Sequence, residues 1–491
     1  MSQRYFRLTA LSLAATLALA GCSMAPRYER PAAPVPGQYP DLPRPDAAKA
    51  ATGAAAASDL GWREFFRDPR LLALIDLSLK NNRDMRIAVE RVQEARAQFG
   101  IQQSDRLPTI GLGANGQVQH NPENMRSSSD SPSVSRSFQA GIGTTSFELD
   151  FFGRVKSLTD AAYQQYLSTE QAQRTVHISL VAQVAEAYFS LRTAQLQQDL
   201  VQKTLKSRQA SYDLVKRRYD LGVAGALDLY QAKTQVDTAR ADLQSSKRAQ
   251  AQARNALQLL VGQPLPADLP AAAPFGKDQL VASVPAGLPS ELLTRRPDIM
   301  GAEHDLMGAN ANIGAARAAF FPNISITGLL GFASPALGGL FSGSQRYWSF
   351  TPQMTMPIFS GGVSGNLDLA KARKNIAVAQ YEKTIQTAFR EVADALAGEA
   401  TYAAQLDALR SLEDASMKSL EVAQLRYDNG IDSFLQVQTS EISLYTAQQQ
   451  FLQAGLASLT NRVELYKALG GGWLENSAQA SAETFAPGQG G

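Results

Sequence analysis

Four stretches of the chain alternate between apolar and polar residues. In Thr109–Gln119 the even positions carry Ile110, Leu112, Ala114 and Val118, and the odd ones are Thr, Gly, Asn or Gln. Asn323–Ala333 carries Ile324, Ile326, Leu330 and Phe332 in the same phase, and Tyr347–Ile358 carries Trp348, Phe350, Met354, Met356 and Ile358. Phe138–Phe151 is less regular and changes phase near Thr144. Period two predicts strands with one apolar face. Their length of about ten residues matches one crossing of a bilayer by a tilted strand. Elsewhere the period is helical. Leu180, Val184, Ala187, Leu191 and Ala194 step by 4, 3, 4, 3, and so do Leu452, Leu456, Leu459, Val463 and Tyr466. That is coiled-coil spacing. Proline is absent between Pro132 and Pro264 and again between Pro357 and Pro487, which supports continuous helix over those spans. The segment Arg154–Leu221 would be about 100 Å long if fully helical. A rod of that length needs parallel neighbours, because it buries only a narrow seam.

The two kinds of segment recur. Residues 218–262 align with 426–470 without a gap, pairing Arg218/Arg426, Tyr219/Tyr427, Asp220/Asp428, Gly222/Gly430, Leu227/Leu435, Arg254/Arg462, Leu257/Leu465 and Gly262/Gly470. The same offset pairs Val184-Ala185-Glu186-Ala187 with Val392-Ala393-Asp394-Ala395. Upstream, Leu107-Pro108 pairs with Phe321-Pro322, and Asn82-Arg83-Asp84 with Arg296-Pro297-Asp298. Two repeats of about 200 residues follow. Each runs from a helical segment (about 70–105 and 297–319) through two strands to a long helix, a Gly-containing turn and a returning helix. The fold class is mainly α with a membrane β-barrel.

Four strands cannot close a barrel, and an open edge leaves backbone groups unpaired in lipid. Several copies must therefore share one barrel. Counting alone permits a dimer with 8 strands or a trimer with 12. The polar, Gly- and Ser-rich loops Asn121–Ser137 and Ser334–Gln345 read as extracellular loops.

The N-terminus reads as an address. Arg4 and Arg7 precede an apolar run, Leu8–Ala20, too short to span a bilayer, ending in Leu19-Ala20-Gly21-Cys22. This resembles a bacterial lipobox, in which the leader is cut before a cysteine that takes a diacylglycerol and an N-acyl chain. A plain signal peptide with an incidental cysteine is the bland alternative. Cys22 is the one cysteine of the 491 residues and sits where that signal requires it. Ser23 in place of Asp fits export to the outer membrane. A Pro- and Ala-rich stretch, Ala25–Ala57, follows as an extended strap. The expected division is 1–21 signal peptide, 22–60 anchor and strap, and 61–265 first repeat (strands about 108–120 and 138–151). Then come 266–295 linker and equatorial segment, 296–472 second repeat (strands about 322–333 and 346–358), and 473–491 flexible tail.

Composition narrows the function. Lys plus Arg is 47 and Asp plus Glu is 45, so the charge balance gives nucleic acid no footing. One cysteine and three scattered histidines (His120, His177, His304) offer no disulfide and no metal cluster. No nucleophile elbow, P-loop or zinc-protease helix is present, so an enzyme is the last reading.

The ordered motifs resemble the TolC-type outer-membrane factors, and most closely the OprM-like lipoprotein branch. They are Leu19-Ala20-Gly21-Cys22, Trp62-Arg63-Glu64-Phe65-Phe66, Asn82-Arg83-Asp84, Glu148-Leu149-Asp150-Phe151-Phe152-Gly153-Arg154 and Pro357-Ile358-Phe359-Ser360-Gly361-Gly362. The most specific is Arg295-Arg296-Pro297-Asp298-Ile299 with Ala302-Glu303 and Phe321-Pro322. The resemblance covers nearly the whole mature chain. It implies a homotrimer with a 12-stranded barrel in the outer membrane and a 12-helix barrel crossing the periplasm. It implies as partners a periplasmic adaptor and an inner-membrane transporter of the resistance-nodulation-division class, with outer-membrane lipid around the barrel. Drugs, detergents, dyes or metal ions are the implied cargo. The expectation is a gated exit duct for multidrug efflux. The alternatives are an export duct for polypeptides and a structural periplasmic lipoprotein without a pore.

The expected gate lies at the turns Tyr219–Ala226 and Tyr427–Phe434. Gly222 and Gly430 suit a helix end needing a left-handed residue. In the family, acidic residues just after the turn line the closed entrance. Here Asp228 stands at that place in the first repeat, while the second departs with Gln436 and Thr439. The expectation is a weakened acidic ring of Asp228 and Asp432, with Leu435 as an apolar plug. Asp228 has a second reading, as a helix N-terminal charge stabilised by the dipole. The Arg296-Pro297-Asp298 run reads as a helix start rather than an anion site. Trp62, Tyr347 and Trp348 read as belt or packing aromatics.

Overall fold

The computed structural model describes residues 23–39, 56–126, 128, 132–281, 285 and 288–477. The leader, Cys22, the strap residues 40–55 and the tail beyond 477 lie outside the described residues. In chain order the main elements are α1 (Pro69–Asn81), α2 (Arg83–Ser104), β1 (Gly111–His120), β2 (Val134–Glu148), α3 (Arg154–Asp220) and α4 (Ala226–Val261). The second half contributes α5 (Pro297–Ala318), β3 (Asn323–Ser334), β4 (Arg346–Thr355), α6 (Gly361–Asp428) and α7 (Phe434–Ala468). No described helix is long and apolar enough to cross a membrane. The chain divides into two compact units. Among the described residues, one holds 23–32, 91–170 and 301–382, and the other holds 33–39, 56–90, 171–300 and 383–477.

The first unit carries a four-stranded antiparallel sheet in the order β1-β2-β3-β4. Its register places Leu112, Ile142, Leu330 and Trp348 in one row across all four strands. These side chains are 57–85% exposed. The next residue along gives the opposite face, Gly113, Gly141, Gly331 and Tyr347, followed by Asn115, Gln139 and Ala333. One face is apolar and exposed, and the other is mostly small and polar, the alternation that a barrel wall between lipid and lumen requires. The phase change near Thr144 has a structural cause. The β2–β3 register slips between Thr144 and Phe147, and Ser146 sits at φ 53°, the one described non-glycine residue with positive φ. One extra residue there switches the outward series from even to odd positions. Strand bounds differ from the alternation by two or more residues at four ends. β1 begins at Gly111, β2 begins at Val134, inside the stretch expected to be loop, and stops at Glu148, and β4 stops at Thr355, ahead of Pro357.

In the same unit the N-terminal strap lies along α5, running antiparallel to it. The Met24 carbonyl accepts from Arg317 at 3.2 Å, and the Pro26 carbonyl accepts from Asn310 at 2.7 Å. Tyr28 and Arg30 both donate to Glu303, Arg30 through two bonds of 2.7 and 2.9 Å. Gly314 leaves room for the strap, since a Cβ there would stand 2.7 Å from the Ala25 nitrogen. Glu303 is buried while Arg30 is half-exposed, so the latch depends on one shielded carboxylate. Glu303→Gln should speed tryptic cleavage after Arg27 by about tenfold, the worth of a lost charge-assisted pair. An unchanged cleavage rate would show that the carboxylate does not hold the strap.

The second unit contains the joint that closes each repeat, and the two joints correspond residue by residue. Asn82 donates to the Leu260 carbonyl at 2.9 Å, and Arg296 donates to the Ala468 carbonyl at 3.0 Å. Gly262 and Gly470, at φ 76° and 84°, each press on a backbone carbonyl, Asn81 or Arg295. A Cβ would meet that oxygen at 2.5 or 2.7 Å. Arg296 adds a fork to Asp298 (3.0 and 2.6 Å) and a bond to Glu391 (2.8 Å). Pro297 opens α5 with Asp298 in its first turn.

Trp62 is fully buried and therefore a packing residue, whereas Trp348 is exposed on the apolar face of the sheet. Phe65 stacks on Tyr466 at 3.9 Å, and the Trp62 amide donates to the Leu474 carbonyl at 2.9 Å. Trp473 meets the His177 ring at 5.0 Å, and Leu474 is buried. Residues 473–477 thus correct the expectation of a flexible tail beginning at 473: two large apolar side chains give that segment something to bury.

Candidate functional site

Both helix-reversal tips belong to the second unit and are built by the same local rules. Gly222 and Gly430 take φ 74° and 71°. In the first tip the Val223 amide donates to the Arg218 carbonyl and the Gly222 amide to Tyr219, each at 2.8 Å. The Ile431 and Gly430 amides repeat this on Arg426 and Tyr427 at 2.9 and 3.0 Å. This is the Schellman closure, which needs a left-handed residue after the last helical turn. α4 and α7 then start from Gly225 and Ser433.

The tips pack on each other. Val215 and Ala232 of the first pair form one buried cluster with Ala423, Tyr427, Phe434 and Val437 of the second. The repeats diverge at this contact. Arg218 and Arg426 are equivalent by sequence, yet Arg426 makes a forked ion pair with Asp432 at 2.6 and 3.0 Å. The first repeat has Ala224 at the place of Asp432, so Arg218 lies instead over the Tyr427 ring at 4.6 Å. Ala226 likewise stands where the second repeat has the buried Phe434. The asymmetry lets one tip insert its aromatics against the other.

The expected gate residues occupy distinct settings. Asp228 lies in the first turn of α4 and is half-buried. Asp432 is held below the usual carboxylate range by the hydrogen bonds from Arg426, whose positive charge balances the carboxylate. Leu435 and Gln436 are exposed, and Thr439 turns its hydroxyl back to the Leu435 carbonyl at 2.8 Å. Leu221, Val223 and Leu227 extend the exposed apolar rim of the tips. Cys22, the expected lipidation site, lies outside the described residues.

Behind the tips is a polar link that sequence reasoning missed. Arg208 on α3 is buried, donates to the Gln235 carbonyl of α4 at 3.3 Å and lies over the Tyr445 ring of α7 at 5.3 Å. Tyr445 donates to Asp242 at 3.2 Å, and Ser211 donates to Glu441 at 3.3 Å. Burial raises the Glu441 carboxyl, against the pull of Arg208. Arg218 and Tyr427 could have been found as identities flanking the turn. Arg208 and Glu441 have no such signal, because the repeats differ there.

The two tips thus close by the same turn and meet through a buried apolar cluster and the Arg218–Tyr427 contact. The family model described as "Outer membrane efflux protein" matches residues 74–263 and 288–471. The chain belongs to the outer membrane efflux protein family. The first matched span lies within 61–265, and the second begins in the linker and runs through 296–471. The chain is 47% identical over 475 residues to the toluene efflux pump outer membrane protein TtgC of Pseudomonas putida, covering 96% of this chain and 97% of that protein. It is 44% identical to the outer membrane protein OprJ of Pseudomonas aeruginosa, covering 97% and 98%. The open state of the Neisseria gonorrhoeae MtrE outer membrane channel superposes with a TM-score of 0.83 at 40% identity, covering 93% of this chain and all of that one. This protein is an outer-membrane efflux channel.

Proposed function

We propose that this channel is the passive, gated exit duct of a tripartite pump for toxic small molecules. The observation that carries the reading is the four-stranded sheet whose β1 and β4 face no further described strand. Three copies complete a 12-stranded barrel, and the long helices then form one tube. An adaptor docks on the tube in the periplasm, and an inner-membrane transporter of the resistance-nodulation-division class supplies the driving force. The relatives named for toluene and antibiotic efflux support an apolar and drug-like cargo over polypeptides. Acyl chains on Cys22 tether each copy to the outer membrane.

The tips are the gate. Asp228 supplies the remaining fixed negative charge of the entrance, since Arg426 holds Asp432. Leu435 and its neighbours make the apolar part of the closure. Single-channel recording in planar bilayers tests the assignment. Asp228→Ala should lower cation-over-anion selectivity severalfold while leaving the trimer intact. Unchanged selectivity would assign Asp228 to the helix dipole alone.

A further inference from the structure

The charged side chains of the four strands are Arg136, Glu148 and Arg346. Their placement is uneven. Glu148 lies at the helical end of the sheet, bound to Arg154 by a fork with one bond at 2.8 Å. Both arginines lie at the loop end. Parity then puts both on the lipid side. Arg136 pairs with Val118, six residues along β2 from Ile142 and therefore on the same face. Arg346 pairs with Phe332 and stands one pleat, about 7 Å, beyond Trp348 on β4. Both are exposed. The lumen face of the same rows carries Gln117, Gln119, Ser135, Ser137 and Gln139, and no cation.

Cations on the lipid face are costly in hydrocarbon and tolerated near the interface. Two of them at one rim, with no carboxylate on that face of the strands, call for an external anion. Beside Arg346 the β3–β4 loop folds back: Phe341 meets Phe332, the cross-strand neighbour of Arg346, at 5.7 Å in an edge contact. Phe341 is itself 73% exposed. Guanidinium next to an outward aromatic pair is suited to a ligand with phosphate at its head and hydrocarbon beneath. The long loops mark this end as the outer one, since the other end feeds the helices.

We propose that Arg136 and Arg346 form a binding surface for the phosphorylated glycolipid of the outer leaflet, with Phe332, Phe341 and Trp348 lying along its acyl chains. The surface clamps the outer rim of the barrel to that leaflet. It involves neither the duct nor the gate.

Native mass spectrometry of the detergent-purified full-length protein tests this, with bisphosphorylated lipid A as the probe. The wild type should retain lipid A, and the double variant Arg136→Gln/Arg346→Gln should bind at least about tenfold more weakly, the worth of two charge-assisted contacts. Arg136→Lys/Arg346→Lys should fall between. Dephosphorylated lipid A added to wild type should bind as weakly as lipid A binds to the Gln variant, an arm that holds even if a variant misfolds. Millimolar inorganic phosphate should not displace the lipid; displacement would make this a free-anion site. Equal retention by wild type and Gln variant, or equal affinity for phosphatidylglycerol, would overturn the assignment.

Discussion

Arg296→Ala should destabilise the folded protein by about 3–5 kcal/mol, the range for removing one partner from a buried ion pair. The side chain is only 10% exposed. It satisfies Asp298, Glu391 and the Ala468 carbonyl together, so its loss strands two carboxylates and a helix C-terminus at once. The neighbouring Arg295 is the internal control. It pairs with Glu291 four residues away at a third exposure, and Arg295→Ala should cost less than about 1 kcal/mol. Asn82→Ala, at the corresponding joint of the first repeat, removes neutral hydrogen bonds only and should cost about 1–2 kcal/mol. Thermal unfolding followed by tryptophan fluorescence ranks the three, and any other order contradicts the joint as described.

Acidification should weaken the protein through His177 by about 3 kcal/mol between pH 6.5 and pH 4. Burial lowers this imidazole from 6.5 to about 4, and its Nε2 is buried without a hydrogen-bond partner. Trp473 covers it edge-on, and the Arg174 guanidinium lies over the same indole at 5.0 Å. The unfolded chain takes the proton first. The stability that the neutral ring contributes is therefore complete above pH 6.5 and lost as pH falls through the folded value. His177→Phe should flatten that part of the pH–stability curve. If the variant and the wild type lose stability in parallel across this window, another group carries the effect.

Most of the architecture was legible because two periods, 2.0 and 3.5, are physically exclusive and each was sustained. The repeat was legible because the turn glycines and their flanking Arg and Tyr recur at one offset. What escaped was information held by contacts. The phase slip at Thr144 was visible, but only pairing against β3 shows that Ser146 is the inserted residue. The Gly262 and Gly470 carbonyl contacts need the fold to bring residues 81 and 295 beside the helix ends. Asp432 reads from sequence as an acid of the tip, and only the fold shows that Arg426, six residues earlier across the turn, donates to it. Glu303 sat in a quoted motif, yet its role as strap latch depends on Arg30, far away in sequence. Trp473 and Leu474 read as tail because the surrounding Gly and Ala mask two residues that pack.

The four strands of one chain leave the barrel wall open. The direct measurement combines the mass of the purified particle with conductance across a planar bilayer. Three chains per particle and stepwise ion-conducting insertions are expected. A single-chain particle that never conducts would contradict the shared barrel.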